Sequence, residues 1–226
     1  MLCIIQARYS SKRFRGKVLK KILGITVLKR VIDQVKKSKK IEKIIVATSN
    51  HQTDKKIINF CNKNKIYCIS GPLNNVFKRF YLIIIKENCK SFTRISADSP
   101  LLDPSLIDRA VTLFNKNQYD IVTNVFPRTF PKGFSVEVIN SKIISDFALK
   151  IRKRRHQEHL TSFFYENNKK FKIKNFSNKI NYSNINLSID NLSDFIRVKN
   201  IIKFCKSKNY GLDYTLLIYK KLFNEK

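Results

Sequence analysis

Short apolar runs alternate along this chain with longer stretches in which apolar residues recur at helical spacing, and that alternation specifies βα units around a mainly parallel sheet. Ile44-Ile45-Val46 is apolar without interruption, as a strand covered on both faces must be. The pattern predicts strands over 2–6, 43–48, 67–69, 91–95, 120–123, 135–139 and 172–176, with a last short strand ending at Ile189. Helices are expected over 27–37, from a Thr53 cap to Asn64, and over 76–87, 105–117, 141–152, 158–166 and 192–206. Gly71-Pro72 marks a turn, Asp103-Pro104 a helix start, and the Asn- and Ser-rich stretch 175–186 a loop. No repeat, linker or shift in composition interrupts the series, so residues 1–226 are expected to form one α/β domain.

Composition narrows the class of partner. The formal charge is +30, from 46 Lys and Arg against 16 Asp and Glu, a balance that raises the question of nucleic acid or an anionic membrane. The excess is mostly Lys, accompanied everywhere by Asn and Ile, as AT-rich coding bias produces. No stretch interleaves aromatics with Arg as single-strand readers do, so no dedicated nucleic-acid partner is expected. Cys3, Cys61, Cys68, Cys89 and Cys205 are scattered without a C-x-x-C pair and read as thiols of a reducing compartment. The start MLCIIQARYSSKR places its apolar run before its basic residues, the wrong order for a secretory signal, and no stretch is long enough to span a bilayer. A cytoplasmic protein without a membrane partner is expected.

The segment that carries chemistry follows the first strand: Ala7-Arg8-Tyr9-Ser10-Ser11-Lys12-Arg13-Phe14-Arg15-Gly16-Lys17. It falls where an open α/β sheet presents its carboxyl edge. Gly16 allows close backbone approach, and Arg8, Arg13 and Lys17 can neutralise a triphosphate and the charge that develops on departing pyrophosphate. The G-x-x-x-x-G-K-[ST] phosphate loop is absent. Taken alone, the segment reads equally well as a solvated basic loop. Asp98 and Asp190 each follow an expected strand, where a carboxylate serves either as a turn or cap residue or as a metal ligand.

The pattern A-R-x-x-S-x-R-x-x-G-K after an apolar strand resembles the signature of the cytidylyltransferases that make CMP-linked acidic sugars, including the Kdo and acylneuraminate enzymes. It is most similar to the spore-coat and surface-polysaccharide type. The resemblance continues through Val46-Ala47-Thr48, Gly71 to Arg79, Arg94 to Pro104, Pro127 to Gly133, Glu158-His159-Leu160-Thr161 and Ser188-Ile189-Asp190. It implies a Rossmann-like nucleotide-diphospho-sugar transferase fold, with a mainly parallel, mixed sheet flanked by helices. It further implies CTP and a sugar, an acidic keto-sugar above all, as substrates, with CMP transferred and pyrophosphate released. By the same resemblance Mg²⁺ is held by Asp98 and Asp190, and Ala7, Arg8, Ser11, Arg13, Gly16, Lys17, Gly71 and Arg79 form the nucleotide side. Arg13, Lys17 and Asp98 carry the catalytic charge, Arg128, Gly133, Glu137 and His159 fall on the sugar side, and a homodimer is implied.

Two positions depart from the family pattern. Arg15 stands where relatives usually have Pro, and Ser135 where they commonly have Asp, which leaves open the identity of the sugar and a degenerate, non-catalytic relative. The alternatives are a nucleotidyltransferase for another base, a glycosyltransferase of the same fold, and a basic nucleic-acid-binding protein. Asp98-Ser99-Pro100 lacks the Asp-x-Asp motif that such a glycosyltransferase normally carries.

Overall fold

The computed structural model describes residues 1–11, 13–205 and 210–223. Its elements in chain order are β1 (Leu2–Gln6), the hairpin β2 (Lys21–Ile22) and β3 (Ile25–Thr26), α1 (Val27–Val35), β4 (Lys43–Ser49), α2 (Lys55–Lys63), β5 (Cys68–Gly71), α3 (Val76–Glu87) and β6 (Ser91–Ser96). They continue with α4 (Pro104–Lys116), β7 (Ile121–Thr123), β8 (Glu137–Asn140), α5 (Ser141–Phe147), α6 (Arg154–Glu158), α7 (Ser162–Glu166), β9 (Ile173–Asn175), α8 (Leu192–Phe204) and α9 (Leu212–Phe223).

Nine-residue α1 and twelve-residue α3 show why the helical spacing was readable. Thr26 Oγ1 accepts from the Lys29 amide at 3.2 Å and Asn75 Oδ1 from the Lys78 amide at 2.7 Å, so each helix starts on a side-chain cap. Asn88 ends α3 in the left-handed conformation that Asn tolerates. The strands align in the order β5-β4-β1-β6-β8-β7-β9. β5, β4, β1 and β6 are parallel, β8 runs antiparallel to both β6 and β7, and β9 is parallel to β7. The sheet is therefore mixed and mostly parallel, in a Rossmann-like arrangement.

Alternate side chains of β1 enter two cores. Cys3 and Ile5 pack with Leu28 and Val31 of α1, Ile107 of α4 and Val198 of α8, whereas Leu2 and Ile4 pack with Phe77 and Phe80 of α3, Ile143 of α5 and Phe164 of α7. Each fully buried aliphatic or phenyl side chain contributes about 1.5–3 kcal/mol of transfer free energy. Strand order reverses at β1: the chain first builds β4 and β5 on one side and then β6 on the other. The loops leaving β1 and β6 consequently border one crevice, the place where open α/β sheets bind ligands.

The structure corrects several expected elements. The helix over 141–152 stops at Phe147, whose ring turns into an aromatic cluster with Phe163, Phe164 and Phe171, while Leu149 is left exposed. The helix expected over 158–166 forms only as the shorter α7, while α6 ends at Glu158, where that helix was expected to begin: His159 is extended and Thr161 directs its hydroxyl to Glu137. No strand ends at Ile189: that segment makes one isolated bridge, Lys132 to Asn186. Thr53 does not cap α2; His51 instead caps the short turn Gln52–Asp54 before it. The hairpin β2–β3 and helix α9 had no counterpart in the sequence reading. The end of the expected 192–206 helix at Lys206, like Lys12, lies outside the described residues. Cys3, Cys61 and Cys205 are buried, Cys68 and Cys89 half-buried, and all five are free. Among the described residues no helix is long and apolar enough to cross a membrane.

Candidate active site

The loop after β1 is closed on itself through Tyr9. Gly16 sits at φ 71° and donates its amide to Tyr9 O at 2.8 Å. A Cβ on Gly16 would stand 2.9 Å from the Tyr9 ring and displace it, and the left-handed backbone itself favours glycine. The Tyr9 amide donates in turn to Asp54 Oδ1 at 2.8 Å. Asp54 is fully buried, and its other oxygen accepts from Thr48 Oγ1 at 3.2 Å, the Ser49 amide at 3.1 Å and Ser49 Oγ. A buried carboxylate satisfied in this way is a rigid anchor, and it fastens the basic loop to the end of β4. Sequence reasoning missed Asp54, which resembled an ordinary first-turn residue beside the expected Thr53 cap.

Lys17 follows Gly16 in a single 3₁₀ turn and is buried. Its Nζ donates to Asp98 Oδ2 at 2.8 Å, to Ile189 O at 2.6 Å and to Asp190 Oδ1 at 3.0 Å. Arg13 reaches the same Asp190 oxygen at 3.0 Å from a 70% exposed position. The two aspartates, distant in sequence, thus converge on one cationic centre. Asp98 arrives on the loop after β6. Asp190 arrives on an extended segment held by Leu187 N to Lys132 O at 2.8 Å and Ile189 N to Asp98 O at 2.9 Å. The Asp190 amide donates to Asp194 Oδ2 at 3.0 Å, and Asn191 and Asp194 form a capping box that starts α8. Two carboxylates meeting at a cation, their side chains 20% and 29% exposed, suit a hard divalent ion that takes few protein ligands and completes its shell with water. Among the described residues no group of three or more His, Cys, Asp or Glu forms a metal cluster.

These groups open onto a cleft of about 640 Å³, within the range that small-molecule sites occupy. Of the residues singled out in the sequence, Arg8, Ser11, Arg13, Lys17, Asp98, His159 and Asp190 line it. His159 does so from the break between α6 and α7. Gln6, His51, Leu73, Asn74, Arg94, Arg154 and Glu158 line it too and were not anticipated as site residues.

The other expected residues stand behind the cleft wall and shape it. Ala7 is buried, its amide donating to Ala47 O at 2.9 Å. Arg79, expected on the nucleotide side, is fully buried in α3; its Nη2 donates to the Pro72 and Leu73 carbonyls at 3.0 and 3.2 Å. Burial and then the charge of Arg8 push its pKa down to about 10, opposed by Asp54, so it stays a cation at neutral pH. Gly71 backs the same turn: a Cβ there would lie 3.1 Å from Arg79 Cγ. Arg79 and Gly71 therefore shape the wall that carries Leu73 and Asn74 from behind it.

Glu137, expected on the sugar side, is buried and ion-paired to Arg94, whose own side chain lines the cleft. Thr161 Oγ1 donates to it at 2.8 Å, and the Tyr165 hydroxyl donates to the same oxygen. Burial, reinforced by Glu137, pushes the Tyr165 phenol well above its ordinary pKa, so it remains a donor. Arg128 donates to Ser135 Oγ at 3.0 Å, and burial lowers its pKa against the pull of Glu137 and Tyr165. Gly133, at φ 101°, would bring a Cβ within 2.7 Å of the Leu187 backbone, so it is the close packing that sets the path toward Asp190.

The profile of the cytidylyltransferase family matches residues 2–215. An uncharacterized protein of Methanocaldococcus jannaschii is 32% identical over 85% of this chain and 79% of its own length. The spore coat polysaccharide biosynthesis protein SpsF of Bacillus subtilis is 28% identical over 72% of this chain and 69% of its own. A cytidylyltransferase structure from Leptospira borgpetersenii superposes with a TM-score of 0.93 at 28% identity, over 98% of this chain and 94% of that one. With the match running from β1 into α9 and including Lys17, Asp98 and Asp190, the chain belongs to the cytidylyltransferase family.

Proposed function

We propose that this protein transfers CMP from CTP to the hydroxyl of a sugar and releases pyrophosphate. The observation that carries the reading is the convergence of Lys17, Arg13, Asp98 and Asp190 at the crevice where the sheet order reverses. The acceptor oxygen bonds to the α-phosphorus as the bond from that phosphorus to the β-bridging oxygen breaks, pyrophosphate leaves with the electron pair, and the hydroxyl proton passes to solvent. Such a reaction depends on positioning and charge neutralisation more than on a protein nucleophile. Asp98 and Asp190 would hold Mg²⁺, which when bound supplies charge neutralisation on the phosphate oxygens. Arg13 and Lys17 bring positive charge to the triphosphate, and the Asp54-anchored loop keeps them in register.

The cleft is also lined by Arg8, Arg94 and Arg154 against Glu158, which Arg8 approaches at 3.8 Å, and with Arg94 paired to Glu137 the balance stays positive, which favours an acidic keto-sugar over a neutral one. The free thiols suit work in the cytoplasm. Calorimetric titration with CTP, ATP and GTP in the presence of Mg²⁺ tests the nucleotide: CTP is expected to bind at least tenfold more tightly, and equal binding of all three would end the cytidylyl reading. Pyrophosphate release with a panel of acidic keto-sugars and neutral sugars tests the acceptor.

A further inference from the structure

We propose that Lys17 competes with the divalent cation for Asp98 and Asp190, so that the ion takes hold only when a triphosphate draws Lys17 away. The inference rests on the reading above and adds an order of loading to it. An ammonium has three N–H donors and no more. Lys17 commits all three, at 2.8 Å to Asp98, 2.6 Å to Ile189 O and 3.0 Å to Asp190. Its side chain is 9% exposed, against 70% for Arg13, so it is no mobile rim charge. Two of its three acceptors are oxygens of the carboxylates on which the metal reading depends, and two cations held at contact by the same pair of carboxylates repel each other strongly.

Formal charge leads to the same conclusion. Asp98 and Asp190 bring two negative charges, and Lys17 and Arg13 bring two positive ones, so the cluster sums to zero and does not attract a free divalent ion. A triphosphate offers Lys17 and Arg13 other anionic partners and leaves the carboxylates to the metal. Lysine suits this exchange because its charge is compact and its four-carbon stem is flexible. By linkage, whatever factor the triphosphate adds to metal affinity the metal adds to triphosphate affinity.

The test is Mn²⁺ binding without nucleotide, read from the electron paramagnetic resonance of free Mn²⁺ and from the thermal shift. Lys17→Met is expected to bind Mn²⁺ at least tenfold more tightly than wild type and to gain thermal stability from it, as wild type does not. Adding Asp98→Asn to that variant should abolish the gain. Should Lys17→Met fail to fold, Lys17→Gln removes the same charge and carries the same expectation. Equal Mn²⁺ affinity in wild type and the Lys17 variant would overturn the proposal. Titration of wild type with Mg²⁺ and CTP separates the two ideas. Binding there with no gain in the variant leaves the nucleotide reading standing and removes the competition. No binding there, with an Asp98-dependent gain in the variant, does the reverse.

Discussion

Two regions of the site are built on opposite principles. In one, Lys17, Arg13, Asp98 and Asp190 form a cluster whose members range from 9% to 70% exposed. In the other, Glu137 is 5% exposed and is held by Arg94, Thr161 and Tyr165 together, so that Arg94 presents a fixed face to the cleft. The contrast teaches that carboxylates in one site can serve different ends. Those at the rim keep part of their surface in solvent, and the one in the wall sets geometry at a cost in desolvation that only complete pairing offsets.

The sharpest way to break this contrast is Asp98→Asn, which is expected to lower kcat about 1,000-fold, roughly 4 kcal/mol, with a melting temperature close to wild type. Near-normal turnover in the purified variant would remove Asp98 from the chemistry. Glu137→Gln should behave in the opposite sense, destabilising the fold by about 3 kcal/mol in urea unfolding, at the low end for a broken buried pair because Arg94 keeps some access to solvent. If Asp98→Asn unfolds more readily than Glu137→Gln, the division of roles is wrong.

Gly133→Ala sharpens the link between wall and rim. Its left-handed backbone and the clash with Leu187 should cost about 2 kcal/mol. Because the displaced segment leads to Asp190, affinity for CTP with Mg²⁺ should fall several-fold as well, which calorimetry reads directly. A variant that loses stability alone would show that the segment moves independently of Asp190. The smallest effect belongs to Arg13→Gln. Its charge is mostly in solvent, so CTP affinity should weaken about threefold at low salt and converge on wild type as ionic strength rises.

Much of the fold was legible because local spacing and caps carry it. The predicted bounds of β1 and α3 coincide with those observed, since an uninterrupted apolar run and an Asn-capped periodic stretch need little tertiary help. The elements misread are those where a distant partner intervenes. The helix expected over 158–166 starts only at Ser162 because His159 is extended and Thr161 answers Glu137, and Asp190 stands on an irregular segment because Lys132 offers it one bridge and Gly133 packs against it. The site divides in the same way. Arg8, Arg13, Lys17, Asp98 and Asp190 were visible as charges on loops, whereas Asp54, Arg94 and the wall positions of Arg79 and Glu137 were not, because burial and pairing leave no mark on periodicity.

Residue order by itself determined the α/β class, the basic loop at the carboxyl edge of the first strand, the family, and which acids could reach that edge. Tertiary structure alone decided that Asp98 and Asp190 meet at one ammonium, that Asp54 anchors the loop, and that Glu137 serves the wall and not the rim. The physical reason is range: periodicity and caps act within a few residues, while the partner of a charge, and therefore its role, is chosen by whatever the packed chain brings within hydrogen-bonding distance.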